Sequence, residues 1–167
     1  AGSVVTFENG ETSSAQLIGF TIQNGSGTEY ENFGICGGGI LCGTASPALK
    51  NLVIKNNSSR HGGGISCMQN ANPTIINTEI INNSATGDGG GLQCEFSSNP
   101  MLINSIIHDN FATRGSGIWA LYNSNPNLVN VTISNNSDSN NSWGAITVWG
   151  SSHPVLFNCI LWNNSPA

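Results

Sequence analysis

Apolar and polar side chains alternate along this chain in very short bursts, and the bursts recur at a fixed interval. From Asn72 to Cys94 the order is Asn-Pro-Thr-Ile-Ile-Asn-Thr-Glu-Ile-Ile-Asn-Asn-Ser-Ala-Thr-Gly-Asp-Gly-Gly-Gly-Leu-Gln-Cys, and the same order returns with only loop lengths changed. Pro47, Pro73, Pro100, Pro126 and Pro154 are separated by 26, 27, 26 and 28 residues. Two residues after each proline stands Leu49, Ile75, Leu102, Leu128 or Leu156, and four after stands Asn51, Asn77, Asn104, Asn130 or Asn158. Seven after stands Ile54, Ile80, Ile107, Ile133 or Leu161, and ten after stands Asn57, Asn83, Asn110, Asn136 or Asn164. Upstream of the prolines lie glycine boxes, Gly37-Gly38-Gly39-Ile40, Gly62-Gly63-Gly64-Ile65, Gly89-Gly90-Gly91-Leu92 and Gly115-Ser116-Gly117-Ile118, with a drifted copy at Trp143-Gly144-Ala145-Ile146. Two residues beyond each box come Cys42, Cys67, Cys94, Ala120 and Val148.

A repeat of this length is read as an array before any local element is considered. Glycine triplets and paired asparagines penalise helix at every turn, while apolar residues spaced in twos, such as Ile40 and Cys42, suit strands. Three short strands with tight bends satisfy one period. Each coil then pairs in parallel with the next at about 4.8 Å, so equivalent residues stack in files. The expected fold is all-β, a single-stranded right-handed parallel β-helix of about six coils of 25–28 residues. Both asparagine files are expected to face inward as structural ladders that satisfy backbone groups at the bends. The prolines open strands where a missing N–H does least harm.

The Gly-Gly-Gly-Ile boxes, paired with Ile54-Lys55-Asn56-Asn57 and Ile80-Ile81-Asn82-Asn83, resemble the GGA(I/L/V) and FxxN repeats of chlamydial polymorphic outer membrane proteins. More broadly the chain is similar to the right-handed parallel β-helix repeats of the pectin-lyase-like superfamily, which are common in secreted bacterial surface proteins. The resemblance covers residues 34–165 and departs in carrying Ile or Leu where the chlamydial repeat has Phe. It implies architecture and handedness, not a host-specific role.

The chain reads as one domain, 1–167. Residues 1–36 form a divergent first coil with an insertion loop at 26–35, and repeats follow at 37–61, 62–88, 89–114, 115–142 and 143–167. Because an open solenoid end exposes strand edges, a larger parent protein is expected. Only 8% of residues are charged against a typical quarter, and the net charge is −5 with four basic residues. That balance argues against a nucleic-acid partner, which needs a Lys/Arg surface. There is no apolar run long enough to span a membrane and no secretory leader pattern.

Five cysteines leave two outcomes open: Cys42, Cys67 and Cys94 as stacked thiols packing like small apolar residues, or a Cys36–Cys42 or Cys42–Cys67 disulfide. No metal or cofactor is expected. No CxxC spacing occurs, and Gly87-Asp88-Gly89-Gly90-Gly91 resembles a calcium-binding turn only once. The sequons at Asn56, Asn82 and Asn135 arise from the ladder repeat and are read as architecture.

Candidate chemistry must face outward. The file just before the glycine boxes holds His61, Asp88 and Arg114, which is the set to test if the protein is an enzyme; an Asp88–Arg114 ion pair is its structural alternative. Glu79, His108, Asp109 and Lys55 form a second charged group. By strand parity Trp119 and Leu121 face out, with Trp149 and Met68 beside them and Phe96 and Tyr122 next along, a row suited to stacking on sugar faces. On another side Ile76, Ile103, Val129 and Phe157 make an apolar file, with Ile106, Ile160 and Trp162 alongside, suited to a protein partner or to self-association. The leading expectation is a non-enzymatic extracellular or cell-surface module: a spacer, an adhesin or a polysaccharide-contacting surface. A polysaccharide lyase or hydrolase, or an inactive relative, is the alternative. A self-assembling filament or dimer component is the third.

Overall fold

The computed structural model describes residues 2–139 and 142–165. Among them the chain forms a parallel β-helix with three sheets of six strands and a shorter fourth sheet. Sheet A stacks Val5–Phe7, Ile40–Gly43, Ile65–Met68, Leu92–Glu95, Ile118–Leu121 and Ile146–Val148. Sheet B runs from Gln16–Ile18 to Val155–Phe157, and sheet C from Thr21–Gln23 to Ile160–Trp162. The fourth sheet joins Ser58–Ser59, Ser84–Ala85, Phe111–Ala112 and Ser137–Asp138. No described helix is long and apolar enough to cross a membrane.

The register is the one the repeat dictates. Ile65 pairs with Ile40 and Leu92, Ile75 with Leu49 and Leu102, and Ile80 with Ile54 and Ile107. All nine of these side chains are fully buried, each contributing about 1.5–3 kcal/mol of hydrophobic stabilisation. In every coil after the first a proline precedes the sheet B strand; the first coil has Ala15 there. The proline donates nothing to the ladder but keeps its acceptor: Pro47 O receives Thr74 N at 3.1 Å. The boxes are glycine because coils approach there. A Cβ on Gly64 would lie 2.5 Å from Gly91 O, and Gly62 opens its box at φ +65°.

The two asparagine files divide, which corrects one expectation. Asn57, Asn83, Asn110 and Asn136 are buried, with Asn164 continuing the file at the last coil. Asn83 Oδ1 accepts from Asn57 N at 3.1 Å and from Asn57 Nδ2 at 2.9 Å, while its own Nδ2 donates to Ile54 O and to Asn110 Oδ1. Asn51, Asn77, Asn104, Asn130 and Asn158 also stack, but outside: all five are exposed and hold φ between 50° and 55°. Asn77 Nδ2 reaches Asn51 Oδ1 at 3.2 Å, and Asn130 reaches Asn104 at 3.0 Å. This corner needs a residue that tolerates the left-handed region, and asparagine does so through its short polar side chain. The requirement is conformational, and inward placement does not follow from it.

Cys36, Cys42, Cys67, Cys94 and Cys159 are all free thiols, so neither disulfide forms. Cys42, Cys67 and Cys94 stack in register inside sheet A, whereas Cys36 lies buried on its outer side with Tyr30, Leu41 and Met68. The insertion makes that second cluster. Thr28–Glu29 and Ile35–Cys36 form a small antiparallel pair, and Tyr30 packs so closely on Gly43 that a Cβ there would meet its ring at 2.5 Å. The Tyr30 hydroxyl donates to Gln69 Oε1 at 2.8 Å. What reads in sequence as a polar excursion is a roof over the outer face of sheet A.

Candidate functional site

Outward parity in sheet A produces a file of Leu41, Ser66, Gln93, Trp119 and Thr147, and beside it a file of Gly43, Met68, Glu95 and Leu121. Nearly all of these residues are buried, although they point away from the core. The roof, the loop before each glycine box and the turn after each strand rise around them. Between these walls runs a trough. One part, of about 370 Å3, is bordered by Phe33, His61, Asp88, Glu95 and Tyr122. The adjoining part, of about 430 Å3, is bordered by Asp88, Arg114, Trp119, Tyr122 and Trp149. Asp88, Leu121 and Tyr122 border both parts.

The structure brings His61, Asp88 and Arg114 together on one wall. Arg114 donates from Nε at 2.5 Å and from Nη2 at 2.9 Å to the two oxygens of Asp88, a bidentate pair whose carboxylate is buried. His61 Nδ1 lies 3.2 Å from Asp88 Oδ2 but off the line of a hydrogen bond, which leaves this buried nitrogen without a partner. Its ring is seated on Gly87, where a Cβ would come within 2.9 Å. The floor supplies a carboxyl that the sequence reading passed over. Glu95 is 8% exposed and accepts from Trp119 Nε1 at 3.0 Å. Burial pushes its carboxyl above the ordinary range, with hydrogen bonds from Gln93 and Trp119 acting in the opposite sense. Gln93 Oε1 in turn accepts from Ser66 Oγ at 2.7 Å.

The expected aromatic row is only partly on the surface. Trp119 points outward as parity requires, yet it is 1% exposed: the Arg114 guanidinium lies 5.0 Å over its ring and Trp143 meets it edge-on at 6.2 Å. It is therefore part of the floor and not a platform. Met68 is likewise buried beneath the roof. Trp149, Tyr122 and Phe96 do line the trough. Trp149 and Tyr122 are about half exposed, and Phe96 and Tyr122 stack with centroids 5.0 Å apart. Phe33, from the insertion, extends the ledge to Phe96 at 4.8 Å. Phe96 and Tyr122 occupy turn positions at φ 55° and 53°, where a bulky side chain is rare and strained. The same turn holds Gln69 one coil earlier and Gly150 one coil later. Aromatics at this corner are thus not demanded by the backbone.

Elsewhere Glu79, His108 and Asp109 meet on sheet C: His108 Nε2 is 2.9 Å from Glu79 and its Nδ1 is 2.6 Å from Asp109. All three are satisfied locally and line no depression described above. Ile76, Ile103, Val129 and Phe157 form the expected file, but the first three are only half-buried and Phe157 alone is widely exposed at 68%. Ile106, Ile160 and Trp162 are exposed on the neighbouring sheet C, with Thr132 between the two isoleucines.

Glu95 was accessible to parity reasoning, since Leu92 and Cys94 face in and so Gln93 and Glu95 must face out. Phe33 and Trp143 carried no such signal, because both lie outside the strand pattern.

Comparison with known proteins adds the family and nothing narrower. No curated protein and no solved structure matches the chain. Residues 1–130 match the family described as a right handed beta helix region, which is most of the chain and agrees with the parallel coil stacking above, so the protein belongs to the right-handed β-helix family.

Proposed function

We propose that this protein is an extracellular or cell-surface β-helical module that binds a carbohydrate chain in the trough on the outer face of sheet A. The observation that carries this reading is the stacked Phe96–Tyr122 pair. Two aromatic rings are held at strained turn positions and edge a trough lined by Asp88, Glu95 and Gln93 as hydrogen-bonding groups. Ring faces stack on the apolar faces of pyranoses, while buried carboxyl and amide groups meet hydroxyls. With Phe33 and Trp149 the ledge follows the direction in which the coils stack, which suits a chain better than a single sugar.

Binding is favoured over hydrolysis for a specific reason. A glycosidase needs two carboxyl groups with separate duties. Glu95 has the raised, protonatable character of a general acid, but both oxygens of Asp88 are engaged by Arg114. A glycan array followed by titration of the best polymer tests the proposal. Tyr122→Ala and Trp149→Ala should each weaken binding by about tenfold, the loss of one stacking contact. Absence of signal on any glycan would remove the reading. Release of reducing or unsaturated ends, abolished by Asp88→Ala, would replace it with an enzymatic one.

A further inference from the structure

We infer that the trough discriminates by charge, accepting uncharged pyranose chains and rejecting polymers of uronic acids; this rests on the carbohydrate-binding reading above. Cations are scarce around the trough. The chain has four basic side chains, Lys50, Lys55, Arg60 and Arg114. Lys50 and Lys55 lie in sheets B and C, on other sides of the coil. Arg60 is exposed on the loop beside Gly34 and does not border the trough. Only Arg114 lines it, and its guanidinium is committed twice: to both oxygens of Asp88 and to the face of Trp119. His61 is held beside the same carboxylate.

Against this stand two buried carboxyl groups. Asp88 is offset by Arg114. Glu95 has no cation among its described hydrogen-bond partners, only the Trp119 indole and the Gln93 amide, and burial already disfavours its ionised form. A uronate brought against Glu95 would meet a second negative charge in a poorly solvated site and no free cation to offset either. A neutral sugar meets no such obstacle, because its hydroxyls donate to Glu95, to Asp88 or to the Gln93 carbonyl oxygen. Nor does any described cluster of His, Cys, Asp and Glu suit a bridging metal ion.

The test uses pairs of polymers that differ only at C6: a glucan, a galactan and a mannan, each beside its C6-oxidised uronic acid form. Affinity electrophoresis or calorimetry at pH 7 in low salt gives the ratio within each pair. At least one neutral member should bind, with its oxidised partner at least tenfold weaker. Glu95→Gln keeps a side-chain oxygen for the Trp119 N–H and removes the charge, so it should narrow that ratio. Raising the ionic strength on the unaltered protein should narrow it too. An oxidised member binding as well as or better than its neutral partner overturns the charge inference and leaves the carbohydrate reading standing. Binding of neither member in every pair overturns the carbohydrate reading and the inference with it.

Discussion

The two faces of sheet A are built from the same strands and are almost equally buried, yet their composition follows opposite rules. Inside, one coil repeats the last: Ile40, Ile65, Leu92 and Ile118 in one file, and Cys42, Cys67, Cys94 and Ala120 in the next. Outside, successive coils place Leu41, Ser66, Gln93 and Trp119 in one file, then Gly43, Met68, Glu95 and Leu121 in the other. A file packed only against itself can repeat, because each side chain meets the same neighbour above and below. The outer files meet a roof, a charged wall and an aromatic ledge that differ at every coil, so they cannot. In a solenoid, then, burial without repetition marks where something other than stacking has shaped the surface.

The sharpest way to break this contrast is thiol labelling, where the expected differences are orders of magnitude in rate. Cys159 is partly exposed and should react with a disulfide reagent in the native protein. Cys36 sits under the two-stranded insertion, and burial pushes its thiol up to about 12. It should wait for the roof to open. Cys42 is held up by its neighbour Cys67 and by burial, and the inner three should wait for global unfolding. Inner thiols reacting in step with Cys36 would mean that the two faces open together and that the roof is no separate unit.

Next in size is the contrast between the two asparagine files. Asn83→Ala strips the Asn57 N–H of its acceptor and the Ile54 carbonyl of a donor, both buried, at a cost of about 2–6 kcal/mol in a denaturant titration. Asn77→Gly keeps the left-handed corner and loses one exposed amide contact, so it should stay within about 0.5 kcal/mol of the parent. Equal costs would mean that the outer file is as structural as the inner one.

These pairs also show what can be read from sequence in such a fold. Spacing reports which residues lie over one another, and it placed Asn77 over Asn51 as surely as Asn83 over Asn57. It does not report what covers them. Parity set Trp119 outward, but its burial comes from Arg114 and from Trp143, which belongs to no strand file. Tyr30 and Glu31 are adjacent polar residues in an insertion, and only one of them is buried. The insertion is a single event with no repeat to calibrate it. The His61, Asp88 and Arg114 wall was legible because it is periodic, and the Phe33 end of the ledge was not.

The smallest expected effect distinguishes the faces by sign. A hydrophobic inner file is indifferent to pH, whereas Glu95 on the outer face is a carboxyl raised in the fold above its ordinary value of 4.5 by burial. Below 4.5 both folded and unfolded chains carry its proton and the group costs nothing. As the pH climbs from 4.5 toward the raised folded value, the unfolded chain ionises first, so the folded state loses stability; above that value the loss is constant. Glu95→Gln removes the titration and keeps an acceptor for the Trp119 N–H at the same position. The variant should therefore be more stable than the parent at pH 7, and the advantage should shrink to nothing as the pH falls below 4.5. A variant that is less stable at pH 7 than its parent would mean that the charge on Glu95 is held by the groups around it, Gln93, Trp119 and His61 against Asp88, more strongly than burial opposes it. The trough would then be a polar site built to keep a negative charge, and not one that resists it.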